Sequence, residues 1–193
     1  MDGVTTMIGI AGIAVVAILA TGSFGRADAG GTKVPPAALT LPSQGTREVA
    51  VLAGGCFWGV EAVFEHVKGV RDVRSGYAGG DPASANYNAV SGGRTRHAEA
   101  VRIAFDPRQI SYADLLRIHF AVAHDPTEVN RQGPDVGPQY RTAIFPQSPG
   151  QARVARAYIA QLGRAGAFKR PIATRIESGH FLAAEPYHQD FMR

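Results

Sequence analysis

Residues 48–70 read EVAVLAGGCFWGVEAVFEHVKGV, and the order of signals along them sets the architecture. Glu48 to Ala53 is a short apolar run of strand type that breaks at Gly54-Gly55. After Cys56, the apolar residues Val60, Val63, Phe64 and Val67 recur at helical spacing, and Gly69 is a stop. Val70 to Ala78 (VRDVRSGYA) then reads as a second strand, so the stretch predicts strand, helix, strand.

Outward from this unit, residues 79–96 are rich in Gly, Ser and Asn and predict a long loop. Glu99, Val101, Ile103 and Phe105 alternate as in a strand with one buried face. Ser111 followed by Asp114 is a capping-box variant opening a helix whose apolar face is Leu115, Leu116, His119 and Phe120. Residues 124–139 form a second long polar loop, and Tyr140 to Phe145 is a further strand. Ser148-Pro149 starts a helix that ends near Gly163, and Ala173 to Glu177 is the last strand. This order predicts an α+β protein: a ferredoxin-like α/β plait of split βαβ units with long connecting loops, on a mostly antiparallel sheet.

Composition narrows the function. The 193 residues are 45% apolar and 19% charged, with one Cys, one Trp and a net charge of +4. One cysteine excludes an intrachain disulfide framework and Cys-based zinc sites. The basic residues are scattered without an interleaved aromatic stripe, so no nucleic-acid partner is expected. Met7 to Ala20 is 14 residues without a polar side chain, short for a membrane span and right for a signal h-region, and Ala27-Asp28-Ala29 supplies a cleavage site. Residues 1–29 therefore read as a signal peptide, which implies an exported or periplasmic protein. Asp2, with no Lys or Arg before the run, keeps a membrane anchor or a cytoplasmic location as the alternative. Residues 30–47 read as a linker and 48–193 as the folded domain, a monomer.

Cys56 is the chemically loaded position. A lone cysteine is more often a small buried hydrophobe. This one stands between a strand and a helix N-terminus, where the helix dipole favours thiolate, and is followed directly by Phe57 and the only Trp, Trp58. That placement points to a reactive thiol beside an apolar pocket wall.

The segments GGCFWGVEAVFEHVKGV (54–70), GYAGG (76–80), HAEAVRIAFDP (97–107), ISYADLL (110–116), HDPTEVNRQGPDVGPQYR (124–141) and AEPYHQDF (184–191) resemble the A-type peptide methionine sulfoxide reductases, over about residues 50–191. The resemblance implies a thiol-dependent reductase that converts methionine S-sulfoxide, free or in oxidised proteins, to methionine. It implies Cys56 as nucleophile and Glu99 as the acid that protonates the sulfoxide oxygen. Tyr87 and Tyr140 would hydrogen-bond that oxygen, Asp135 would complete the polar cluster, and Phe57 and Trp58 would wall the S-methyl group.

Sulfoxide chemistry asks for these residue types. The sulfur is electrophilic, but its oxygen leaves only when protonated, so a thiolate and a neutral acid must sit together. A carboxyl stays neutral near pH 7 only if burial or nearby negative charge raises its pKa. Attack yields methionine and a cysteine sulfenic acid. Many relatives have Gly where Arg96 stands here, and many carry resolving cysteines that this chain lacks. The sulfenic acid therefore needs an external thiol, a thioredoxin-like protein or a small thiol, and no bound cofactor. No metal is expected, since His97-Ala98-Glu99 has no P-C-x-x-C after it. His188 reads as structural, near the site. Two other readings use the same residues: a cysteine hydrolase or transferase with Cys56 activated by His97 or His188, and a non-catalytic envelope module that holds methionine-rich partners at Trp58.

Overall fold

A computed structural model describes residues 32–43 and 45–193, and the signal reading of residues 1–29 lies outside the described residues. The chain runs β1 (Glu48–Gly54), α1 (Phe57–Glu65), β2 (Val70–Ala78), α2 (Tyr87–Ser91), β3 (Ala98–Phe105), α3 (Tyr112–Ile118), β4 (Arg131–Gln132), β5 (Asp135–Val136), β6 (Thr142–Ile144), α4 (Pro149–Arg164), β7 (Arg175–Ile176) and β8 (Phe181–Ala183). One sheet has the order β7-β6-β1-β3-β2-β8, antiparallel except between β6 and β7. Its central four strands, with α1 and α3 as crossovers, are the plait expected from two split βαβ units.

Pleating sorts the two faces of the sheet. Leu52 of β1 and Val101, Ile103 and Phe105 of β3 meet Phe64, Leu115, Leu116, Phe120 and Tyr158 in the main core. The opposite face carries small residues, Ala53, Ala78, Ala98, Ala100 and Ala143, with Val51 and Phe145. The smallness matters because β7 and β8 lie on opposite edges. The few residues between them reach about 18 Å, less than the roughly 24 Å width of six flat strands, so the sheet is curled where they cross. The crossing is tight: a Cβ on Gly179 (φ +152°) would lie 2.7 Å from Gly79 Cα.

Local signals explain most elements. Ser111 Oγ accepts the Asp114 N–H at 3.1 Å, and the Asp114 carboxylate accepts the Ser111 N–H at 3.3 Å, which closes the capping box. Ser148 caps α4 by accepting the Gln151 N–H, with Pro149 in the first turn.

Several expectations need correction. The loop 79–96 contains a short 3-10 turn and α2, because Asp81 and Asn86 side chains accept the Ala83 and Ala89 N–H groups and start helical turns. Tyr140 belongs to a 3-10 turn (Pro138–Tyr140) rather than to β6, since Gly137 (φ +151°) and Pro138 break the extended run before it. The loop 124–139 contains the β4–β5 hairpin, the last strand is only two residues long, and β8 is additional. Residues 32–38 are not a free linker. Val34 is 5% exposed in the core, Tyr158 Oη donates to Pro35 O at 2.7 Å, and the Gln161 side chain holds Pro36 and Ala38. These contacts are long-range, so no local pattern announces them.

Candidate active site

The C-terminal ends of β1 and β2 and the N-terminal ends of β3 and β6 lie together at one end of the sheet, by the registers Leu52↔Val101, Gly54↔Thr142 and Tyr77↔Glu99. The chain leaves β1 through Gly55, whose φ of +96° suits glycine, and Cys56 becomes the N-cap of α1. A Cβ on Gly55 would also meet Gln132 Cβ at 2.5 Å, so the β4–β5 hairpin packs directly on this turn. The same registry brings Glu99 alongside. It is 2% exposed, and its Oε2 accepts the Phe57 N–H at 3.0 Å.

The electrostatics differ from the sequence expectation for the thiol. Backbone N–H groups of Trp58 and Gly59 point at the Cys56 sulfur and favour thiolate, as a helix terminus should. Burial outweighs them, and the charges of Glu99 and Asp135 add to it, so the thiol is held above its ordinary pKa. Burial likewise pushes Glu99 up to about 7, against the pull of the Phe57 N–H and with help from Asp135. Burial and the nearby Glu99, Asp135, Cys56 and Tyr87 raise Tyr140 to about 12. These mutual influences place Cys56, Glu99, Asp135, Tyr140 and Tyr87 in one cluster.

The tyrosines divide by what their hydroxyls do. Tyr77 Oη donates to Glu185 at 2.9 Å and Tyr158 Oη to Pro35. Among the described residues, the hydroxyls of Tyr87 and Tyr140 have no hydrogen-bond partner and are free to donate to a bound group. Tyr87 is set by its backbone, whose N–H donates to Glu185 Oε1 at 2.9 Å, and by its ring, 4.5 Å from the ring of His188. Glu185 thus ties Tyr77 and Tyr87 together.

Phe57 and Trp58 take different positions. Phe57 is buried, packed between Tyr77, Trp58 and His188 with centroids 5.3–6.2 Å apart. Trp58 is half-buried; its Nε1 donates to His188 Nδ1 at 3.2 Å and its face stacks on Phe191 at 3.7 Å and 7°. Sequence reasoning set His188 near the site but missed Glu185 and Phe191. Their signal was present in the motif AEPYHQDF, which concentrates aromatic and polar residues far along the chain from Cys56. His97 is buried beneath Gly80, bonded to Gly80 N–H and Asp81 O, and serves the loop rather than the thiol.

A half-buried thiol, a buried carboxyl with its pKa raised to about 7, two uncommitted hydroxyls and an indole wall can bind a polar oxygen next to an apolar sulfur substituent, protonate the oxygen and attack the sulfur.

Residues 48–193 match the family model described as peptide methionine sulfoxide reductase. Among curated relatives, peptide methionine sulfoxide reductase MsrA 2 of Synechocystis sp. is 57% identical over 156 residues, covering 80% of this chain and 72% of the relative. The MsrA of Deinococcus radiodurans is 53% identical over 157 residues, covering 78% and 76%. Among solved structures, reduced Mxr1 from Saccharomyces cerevisiae superposes with a TM-score of 0.69 at 32% identity, covering 80% of this chain and 89% of that one. Methionine sulfoxide reductase A of Corynebacterium diphtheriae gives 0.65 at 32% identity, covering 84% and 85%.

Proposed function

Because the chain belongs to the peptide methionine sulfoxide reductase family, and so reduces methionine sulfoxide with a thiol and repairs oxidised proteins, we propose that Cys56 is the nucleophile and Glu99 the acid of that reaction. The observation that carries this assignment is the Glu99 carboxyl, buried beside Cys56 on one helix terminus and raised to about 7, where it can hold a proton at neutral pH.

The S-methyl group lies against Trp58, with Phe57 supporting that wall from behind, and the sulfoxide oxygen faces Tyr87, Tyr140 and Glu99. Glu99 gives its proton to the oxygen as the Cys56 sulfur attacks, and the thiol proton returns to the emptied carboxylate. The attack joins the Cys56 sulfur to the substrate sulfur, and a second proton from Glu99 lets the oxygen leave as water, which breaks the S–O bond. A water then attacks the Cys56 sulfur and breaks the S–S bond, so methionine leaves, a proton returns to Glu99, and Cys56 is left as the S–OH form, oxidised as the sulfoxide is reduced. Burial is the main reason that Glu99 can keep its proton, and the nearby Asp135 adds to it. The single-epimer selectivity expected of this chemistry, for the S-sulfoxide, follows from fixing the methyl and oxygen on opposite walls around one line of attack.

The sulfenic acid is then reduced by an external thiol, since the 193 residues hold no second cysteine. Mxr1, similar to this chain, has also been solved in complex with Trx2, which favours a thioredoxin-like protein over a small thiol. The apolar run at residues 7–20 and the Ala27-Asp28-Ala29 site support export, and a fusion of residues 1–35 to a reporter active only outside the cytoplasm tests it.

The assignment is tested by mass spectrometry after one equivalent of methionine S-sulfoxide without reductant. The expected result is a gain of about 16 Da on the Cys56 peptide. Methionine formed with Cys56 unmodified overturns it.

A further inference from the structure

The last residues of the chain form a hook whose apolar side chains face outward beside Trp58. Tyr187 is 65% exposed, Phe191 52% and Met192 64%. Large apolar side chains scattered singly over a surface are ordinary, but a contiguous group is not. Here Tyr187 and Phe191 continue one row of rings, and Met192 follows Phe191 in the chain: Phe191 stacks on Trp58, Trp58 lies 5.6 Å from His188, and His188 lies 4.3 Å from Tyr187.

The hook is held in place rather than trailing. The Gln189 side chain accepts the Ser75 N–H at 3.0 Å and donates to Ser75 O and Ala184 O. The Asp190 N–H donates to the buried Glu61 carboxylate at 3.1 Å, and Arg193 pairs with Glu65 at 2.9 Å and with Asp190 at 3.0 Å. Asp190 has a φ of +54°, uncommon for a residue with a side chain, and this left-handed turn sends Phe191 back onto Trp58. A left-handed turn fastened to Ser75, Ala184, Glu61 and Glu65 maintains an exposed apolar surface beside Trp58, where it is pre-organised for binding.

We propose that Tyr187, Phe191 and Met192 form the surface that receives the residues flanking the oxidised methionine, and that the preferred partner is an extended polypeptide stretch with apolar side chains on either side of the sulfoxide. The inference rests on the reading that the sulfoxide binds at Trp58. A peptide bound there runs on by at most about 3.5 Å per residue, so the residues flanking the sulfoxide stay close to the rings that continue from Trp58.

The test compares N-acetylated pentapeptides with a central methionine S-sulfoxide flanked by Leu and Val or by Gly and Ser, with dithiothreitol as reductant. The wild-type protein is expected to favour the apolar flanks about tenfold in kcat/KM, mainly through KM. In the double variant Tyr187→Ser, Met192→Ser that ratio falls to near one. A ratio near one in the wild type, or a ratio unchanged in the variant, overturns the proposal. A variant in which only the KM for a protein reductant rises assigns the surface to the reductant and also overturns it.

Binding separates this proposal from the reading beneath it. Trp58 is the only tryptophan, so its fluorescence reports occupancy of the row directly. Peptides with norleucine at the centre, titrated against Cys56→Ser protein, should bind about tenfold tighter with apolar flanks. That result without any sulfoxide turnover in the wild type supports the surface and refutes the catalytic reading, whereas equal affinities refute the surface.

Discussion

Glu99 accepts the backbone N–H of Phe57, the residue after Cys56, at 3.0 Å, so the proposed acid and the proposed nucleophile meet on one helix terminus. That shared position gives each group its character. The same burial that keeps Glu99 protonated keeps the thiol protonated, and the α1 N–H groups are the counterweight that lets the thiol ionise as the substrate oxygen takes its proton.

Replacing Glu99 by Gln should separate activity from stability. Loss of the acid is expected to cost about 10²–10⁴-fold in kcat. The folded-state pKa of Glu99 is raised, so wild-type Glu99 binds more protons folded than unfolded, and its unfavourable contribution grows as pH rises from about 4.5 to about 7. Gln mimics the neutral form. The variant should match wild type at pH 4.5 and exceed it by roughly 1–3 kcal/mol at pH 8, read by urea denaturation at both values.

Cys56 should alkylate as a thiol of raised pKa. The rate with iodoacetamide is expected to rise through a midpoint above that of an ordinary cysteine, and the midpoint should move down in Glu99→Gln, where one neighbouring negative charge is gone. An unchanged midpoint in the variant would show that Glu99 does not act on the sulfur.

Tyr87→Phe and Tyr140→Phe remove hydroxyls that have no partner among the described residues. Each should lower kcat by about 10–10²-fold, as removal of a donor to a developing charge does. Each should change stability by less than about 1 kcal/mol. Tyr77→Phe should reverse the pattern, because its hydroxyl is spent on Glu185. Steady-state kinetics beside thermal melts distinguish the three.

Two glycines close to Cys56 should respond oppositely to alanine. A Cβ at Gly54 would meet His124 Cγ at 2.9 Å and His119 Cε1 at 3.1 Å, so Gly54→Ala is expected to cost about 1–3 kcal/mol by overpacking. A Cβ at Gly59, inside α1, meets nothing within 4 Å. Gly59→Ala should stabilise by about 0.5–1 kcal/mol through helix propensity. Denaturant midpoints measure both.

The fold should weaken in acid through the adjacent pair His119 and His124, whose tilted rings are 4.0 Å apart. Burial holds His119 well below its ordinary pKa and lowers His124 to about 4. Unfolding lets both protonate near 6.5, so their contribution is intact above that value and is lost as pH falls toward 4. Neither ring nitrogen of His119 has a partner among the described residues. His119→Phe should therefore flatten the acid limb and stabilise at neutral pH by about 1 kcal/mol, as urea midpoints between pH 4 and 8 would record.

The parts of the fold that depend on near neighbours are legible in the residues themselves. The strand–glycine–cysteine–helix order of residues 48–70, the Ser111–Asp114 box and the Ser148-Pro149 start act over a few residues, and each stands where its local pattern puts it. Cys56 could be singled out from its place before a helix, whereas the roles of Glu99, Tyr87, Tyr140 and Asp135 came from the resemblance of the motifs around them to a known family. The remainder depends on contacts between residues far apart in the chain. The Val34 segment, β8 and the hook at Gln189–Phe191 are held by partners more than 75 residues away or on the far edge of the sheet, where no periodicity reports them. The state of the cysteine was decided there as well. A helix terminus read from sequence argues for thiolate, whereas burial, with Glu99 and Asp135 brought alongside by the sheet, argues for thiol. Desolvation wins, because it depends on what the whole fold packs around the sulfur and not on the few N–H groups next to it.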